Sequence, residues 1–575
     1  MKIKILYPLI IILILSCCHH ADSQEGILLV QDGNSDFRII PSANASPIEV
    51  FAGQELQGYV AQSSGAFLPM SDPYEPPLGR RIFLGKSAVE KLGLILDEST
   101  LGTDGFIIKT IGDRIAIAGY TPKGTLYGVY AFLEGIGCRW LAPGVNGEVI
   151  PQKTDVLIPP LDSVQTPKIL HRGFKSSFTT TFLNTDWIDW MGKNRLNLIM
   201  VESDMYSDLK RVASGEMQRR GIKAGVSFAF VNPEESKKKI TDFIRINPQV
   251  EILEIYPEDS KKNIDAMIMA DSIIANNPEK KIFLRFNCDS IQNLKNAGNY
   301  EYSFEPVSRC YRHSLNDKTC EINAKQRSCL QKLIKTRRWI SLYEHYMASY
   351  DQNSIPFPIL QTIYSDLKYI SAFDGIKGAV TQCELGNWGT YGLNYYVFSR
   401  MSWNAKYELG WIVDDYCNKF FGSASNPMKK YFSLWEDAMA KIEHISYIDP
   451  PELIVKLLDE TTLKSLQTCL DNAKSLSKDV MAYERIRKIQ LSLDYTTLLW
   501  NTLNNYLVGI EYQEAGNKKT AKLHLQKSIE NGDNLIKFLF KNVDEGIFIV
   551  TQSFIFDYID PIINDARNRL DMINS

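Results

Sequence analysis

ILHRGF (169–174), LNLIMVE (196–202), IKAGVSFA (222–229), EILEIYP (251–257), KIFLRFN (281–287), VSRCYR (307–312), WISLYEHY (339–346) and IKGAVTQC (376–383) decide the fold of this chain. Each stretch is short, rich in branched and aromatic residues, and reads as a strand. Segments 236–244, 260–275, 320–335 and 358–370 read as helices between them, and the gap between Asn287 and Val307 carries the weakest pattern. Eight strands alternating with helices over about 215 residues make the pattern of a closed (β/α)8 TIM barrel in the α/β class. An open doubly wound sheet alternates too, but usually has fewer strands and a Gly-rich first βα turn. No GxGxxG or Walker-type loop occurs, so nucleotide binding has no support.

Working outward, the barrel is assigned to residues 161–393. Residues 25–160 read as an N-terminal α/β sandwich domain. It holds an amphipathic helix at 47–64 with Val50, Leu56, Tyr59 and Val60 on one face and Gly65 as its cap. A strand at 81–85, a hairpin at 105–119 turning at Gly112-Asp113, and a helix at 124–135 follow. No catalytic cluster falls in it. Residues 394–575 carry almost no strand signal, and stretches at 426–445, 450–459, 462–476, 480–506 and 511–538 predict a C-terminal helical domain.

The 575 residues carry a net charge of -3 and no basic run, which argues against a nucleic-acid partner. Lys2 and Lys4 precede an apolar stretch at 5–15, too short to span a bilayer, which reads as a signal peptide within residues 1–24. ILSC (14–17) resembles a lipobox in which Cys17 is acylated, with Cys18 as the competing register. The expected address is therefore the outer membrane of the exporting cell, on its surface or its periplasmic face, with membrane contact only through the lipid. None of the eight remaining cysteines falls in a Cys-x-x-Cys pair, which argues against structural zinc, and most are expected to be buried free thiols. No cofactor is expected.

Catalytic groups of a barrel project from the C-terminal strand ends. There the second strand delivers Glu202 and Asp204, the fourth Glu258 and Asp259, and the sixth Tyr311, Arg312 and His313. The seventh delivers Tyr343, Glu344, His345 and Tyr346, and the eighth Glu384, with Trp388 just after. Carboxylates mixed with Tyr, His and Trp suit glycosidic cleavage, where one acid protonates the leaving oxygen and a second group stabilises or attacks the anomeric carbon. Glu202, Asp204 and Asp259 could instead cap the following helices, Glu384 could pair with Arg400 or Arg312, and His313 and His345 could be satisfied rim residues. A catalytic metal has no His-x-His or His-Glu-x-x-His spacing to support it.

FAGQELQGYV (51–60), SGAFLP (64–69), DGFII (104–108), IAG (117–119), KGTLYGVYAFLE (123–134) and GCRWLAP (137–143) resemble the accessory domain ahead of family 20 hexosaminidases and α-glucuronidases. NRLN (194–197), YPED (256–259), CYRHSL (310–315), WISLYEHY (339–346), NYYV (394–397), LGW (409–411) and Tyr416 resemble the domain-of-unknown-function family 4838, which overlaps glycoside hydrolase family 163. The resemblance implies an endo-β-N-acetylglucosaminidase cleaving complex N-glycans on a glycoprotein, in an anchored enzyme of a gut-type Bacteroidetes bacterium. It also implies a substrate-assisted retaining mechanism, with Glu258 or Glu344 as acid and Asp259 orienting the acetamide. Tyr343, Tyr346 and Trp388 would be the sugar platform, and Arg312, His313 and Glu384 further contacts. The Glu-Asp order inverts the family 20 pair, and no Gly-His follows the third strand. An inverting α-glucuronidase-type enzyme and a non-catalytic glycan-binding protein are the alternatives.

Overall fold

The computed structural model describes residues 26–574 apart from 75, 77, 177–183, 258, 292–297, 348–352, 384–387, 546–549 and 551. Residues 1–25, with the expected signal peptide and Cys17, therefore lie outside the described residues, as do Glu258 and Glu384. Among the described residues no helix is long and apolar enough to cross a membrane.

The N-terminal domain is built on a five-stranded sheet in the order 38–41, 81–84, 114–119, 106–111, 162–165. Helix Pro47–Ser64 forms as its sequence dictates. Ser46 and Glu49 make a reciprocal capping box, Pro47 sits in the first turn, and Gly65 closes the helix at φ 78°. Helix Pro122–Ile136 is pressed onto the sheet. A Cβ at Gly119 would stand 2.5 Å from the Gly124 backbone, so this helix–strand approach requires glycine.

Eight parallel strands close into a barrel: β1 (His171–Ser176), β2 (Leu198–Glu202), β3 (Lys223–Phe230), β4 (Ile252–Pro257), β5 (Lys281–Phe286), β6 (Glu301–Phe304), β7 (Ile340–Glu344) and β8 (Ile376–Cys383). Side chains alternate between the lumen and the surrounding helices. Leu198, Met200, Ile252, Phe283, Tyr343 and Val380 form one apolar cluster that fills the lumen. One expected strand is corrected. The sixth is Glu301–Phe304, and residues 307–312 belong to the loop that follows it. The true strand is only four residues long and alternates polar with aromatic residues, a weaker signal than the Cys-Tyr pair downstream.

No described residue after Cys383 is in a strand. Helix Trp388–Trp403 follows β8 directly, so position 393 falls inside a helix rather than at a boundary. The predicted break at 506–511 is also corrected. One helix runs Val480–Glu514, and the chain turns at Gly516, φ 77°, before helix Lys518–Lys541. Gly509 within 506–511 stays helical, buried where the helix packs closely against Leu525 of the next one, whereas Gly516 supplies the left-handed turn and Asn517 caps the next helix through Thr520 N.

Ion pairs lock the N-terminal domain beneath the barrel. Asp104 accepts from Arg172 at 2.6 Å and Asn197 at 2.7 Å and pairs with Lys123 at 2.8 Å. Glu134 binds both Arg195 and Arg400 at 2.6 Å. Arg400 is thereby committed to Glu134.

Candidate active site

The charged residues of the barrel mouth come from alternate positions on successive strands. Glu254 of β4 is the centre. Its carboxylate takes Lys175 at 3.0 Å, Arg285 at 2.6 Å, Ser227 at 2.9 Å and Ser303 at 2.7 Å. Burial alone would raise this carboxyl, but Arg285 and Lys175 outweigh it and hold it well below the usual range. Lys175 also bridges to Glu202 at 3.0 Å, and Tyr256 Oη donates to Glu202 at 3.0 Å. Glu305, directly after β6, receives His345 Nε2 at 2.8 Å and Arg285 at 3.5 Å. Burial pushes Glu305 up, and His345 and Arg285 together pull it below its ordinary value. On its other side His345 Nδ1 meets Gln382 Oε1 at 2.7 Å, and its ring stacks on Tyr447 at 3.7 Å.

These contacts build a polar well with a layered logic. Glu254 is almost sealed, at 2% side-chain exposure, while Glu305 and Glu202 are open at 15% and 28%. Arg285 lies over the rings of Tyr256 at 4.1 Å and Tyr343 at 4.9 Å, which fixes the guanidinium between its carboxylates. A sugar entering the mouth would meet the Glu202 and Glu305 carboxylates, a histidine with both ring nitrogens engaged, and the half-buried rings of Tyr256 and Tyr447.

The residues expected from the sequence are dispersed. Glu344 lies on the opposite face of β7 from Tyr343 and His345, in the wall between barrel and helices. There it is bound by Arg309 and by Tyr311 Oη, both at 2.9 Å. Arg309 also holds Asp366 at 2.7 Å, and Tyr346 Oη donates to Asp366 at 3.1 Å. Tyr346 is therefore a wall residue, and Tyr343 is buried in the lumen. Trp388 is buried against Phe420 at 6.1 Å and under Lys488, so the three aromatics form no common platform. Asp259 is exposed and accepts from Lys261 N at 2.9 Å, the local capping role. Glu202, by contrast, is no helix cap, since helix Tyr206–Arg220 has no side-chain cap bond. Arg312 and His313 are half-buried on the loop after β6. Lys175, Glu254, Arg285, Glu305 and Tyr447 were not among the expected site residues. A charge inside an otherwise apolar strand, as in ILEIYP and KIFLRF, is the signal that marks two of them.

Residues 269–433 match the family described as a domain of unknown function, DUF4838, and residues 31–132 match the N-terminus of glycosyl hydrolase family 67. No curated protein matches the chain in sequence. Among solved structures it is similar to a family 115 4-O-methyl-α-glucuronidase with specificity for decorated arabinogalactans. The TM-score is 0.63 at 11% identity, over 91% of this chain and 78% of that one. A family 138 enzyme targeting pectin rhamnogalacturonan II gives a TM-score of 0.59 at 11% identity, over 94% and 100% of the two chains. A third, titled CpGH84B, gives 0.53 at 13% identity over 94% and 97%. At such identities the likeness is one of fold, and the fold is shared with glycoside hydrolases.

Proposed function

We propose that this chain is a glycoside hydrolase acting at the C-terminal mouth of its barrel on N-acetylglucosamine-containing glycans, as an endo-β-N-acetylglucosaminidase of complex N-glycans. The observation that carries the hydrolase reading is the lumen-facing set of carboxylates Glu202, Glu254 and Glu305, tied to His345 and flanked by Tyr256 and Tyr447. Glu305, kept ionised by its partners, stabilises positive charge growing at the anomeric carbon. Glu258, one residue beyond β4, is the proposed proton donor, with Asp259 beside it. Neutral sugar is favoured because both mouth cations are already bound, Lys175 by Glu202 and Glu254, Arg285 by Glu254 and Glu305. A uronate would have to displace one of these carboxylates.

The α-glucuronidase-type reading is kept because residues 31–132 match the family 67 N-terminus. The test is turnover of a complex N-glycoprotein, an aryl β-N-acetylglucosaminide and an aryl α-glucuronide by the wild type and by Glu258→Gln, Glu305→Gln and Glu202→Gln. The expected result is release of N-glycan with a loss of about 10³-fold or more in Glu258→Gln and Glu305→Gln. Release of glucuronate alone selects the second reading. Binding of glycan with no product over long incubation makes the chain a binding protein, and unchanged turnover in all three variants overturns the site.

A further inference from the structure

Beside the mouth, three ligand-type side chains from the segment after β6 converge with one from the helical region. Cys310, His313, Cys320 and His444 each place one donor atom within 4.8 Å of all the others. We propose that they form a tetrahedral Cys2His2 site for a zinc-class divalent ion, which clips the β6 loop to the helical region. The inference is independent of the sugar and of the reaction.

The donor set is right for the metal. Two thiolates and two imidazoles are a structural zinc set, with Zn–S near ~2.3 Å and Zn–N near ~2.0 Å, so tetrahedral edges run to about 3.3–3.8 Å. Cys310 Sγ and His313 Nδ1 already stand 3.4 Å apart, and the His313 and His444 rings are 5.6 Å centre to centre. Donor atoms within 4.8 Å of one another need shifts of about 1 Å to reach such edges.

The backbone that carries the ligands is fixed in advance. Asn323 donates to the carbonyls of Cys310 and His313, both at 2.8 Å, and accepts from Cys310 N at 2.9 Å. Cys320 stands at the N-terminal cap of helix Glu321–Ile334 without a side-chain cap bond. On the far side, Tyr311 N donates to Ile445 O at 2.7 Å, which seats the residue next to His444 against the same loop. Preorganisation of this kind is what holds the side chains around a metal in place. The absence of a Cys-x-x-Cys pair therefore misleads here, because the site combines a Cys-x-x-His with a lone cysteine and a histidine far along the chain. Its consequence for the mouth is positional: Tyr447, three residues beyond His444, is the ring stacked on His345.

A disulfide between Cys310 and Cys320 is the rival use of the same thiols. The experiment takes the full chain, purified without a metal column and equilibrated with micromolar zinc, then desalted. Elemental analysis is expected to give one zinc per chain, with Cys310 and Cys320 protected from alkylation until a chelator is added. Cobalt(II) substitution is expected to give thiolate charge-transfer and tetrahedral visible bands. His444→Ala, at an exposed position that should tolerate truncation, is expected to weaken zinc binding at least 10-fold and change the cobalt spectrum, and Cys310→Ser to abolish binding. No bound zinc, zinc retained unchanged in both variants, or a Cys310–Cys320 peptide from a non-reduced digest would each overturn the site.

Discussion

Glu344, the last residue of β7, and His345 directly after it serve two clusters of opposite design. His345 faces the mouth, where three carboxylates, Glu202, Glu254 and Glu305, are met by Lys175, Arg285 and the imidazole itself. Glu344 faces the wall, where two carboxylates, Glu344 and Asp366, share the single guanidinium of Arg309 with no water-facing side. The mouth is partly open and each of its carboxylates has a lysine, arginine or imidazole partner, so a ligand can exchange with it. The wall is sealed and short of one positive charge, so it stores cost rather than offering chemistry. Acidity and burial alone do not mark a catalytic carboxylate, since the face of the strand decides what it can reach.

The largest expected effects separate the two clusters. Glu305→Gln should lower kcat by about 10³-fold with a melting temperature within a few degrees of wild type. Asp366→Ala should do the reverse. It removes a buried partner of Arg309 and of Tyr346 and should destabilise the fold by about 3–5 kcal/mol, with turnover per folded molecule changed less than about tenfold. Denaturant titration alongside single-substrate kinetics measures both. An Asp366→Ala protein that is stable but inactive would collapse the distinction between wall and mouth.

A smaller effect is expected at the edge of the mouth. The disulfide Cys288–Cys329 ties the loop after β5 to helix Glu321–Ile334 across 41 residues. Replacing both cysteines by alanine should cost about 2–4 kcal/mol, the scale set by closing a loop of that length. Glu305 and three of the proposed zinc ligands, Cys310, His313 and Cys320, lie in the segment it encloses, so kcat should fall modestly while Asp104 and its partners stay intact. The remaining six described cysteines are buried and free, in line with the expectation for most of them.

Much of the fold was legible. The 47–64 helix, the 105–119 hairpin and seven of the barrel strands follow from apolar periodicity and from caps such as Ser46, Glu49 and Gly65. The sixth strand was not, because Tyr302-Ser303-Phe304 is too short to stand out. Missing it also hid Glu305. The site was less legible for a related reason. Strand-end position groups the residues of WISLYEHY together, whereas its two-residue alternation sets Tyr343 and His345 against Glu344 and Tyr346. Tyr447 could not be read at all, since its relation to His345 exists only once the helical region has folded onto the barrel.

The smallest effect tests the charge balance of the wall directly, through the sign of its pH dependence. Burial, with the Asp366 charge beside it, pushes the Glu344 carboxyl up to about 7, against the pull of Arg309. An unfolded Glu titrates near ~4.3, so between roughly that pH and 7 the folded state binds more protons than the unfolded one. Its stabilising contribution is full in acid and declines as pH rises through about 7. Asp104 and Glu134, in the seam beneath the barrel, have the opposite sign. Burial raises each, but Lys123 and Arg172 hold Asp104 far below its ordinary value, and Arg195 and Arg400 bring Glu134 down to about 2. Their contribution is present above about pH 4–5 and is lost on acidification. Glu344→Gln, which fixes the neutral form, should therefore gain on wild type by about 1–3 kcal/mol between pH 5 and pH 8. Asp104→Asn should lose most at neutral pH and less in acid. Parallel stability curves for wild type and Glu344→Gln over that range would mean that Arg309 balances both wall carboxylates. The wall would then differ from the mouth in exposure alone.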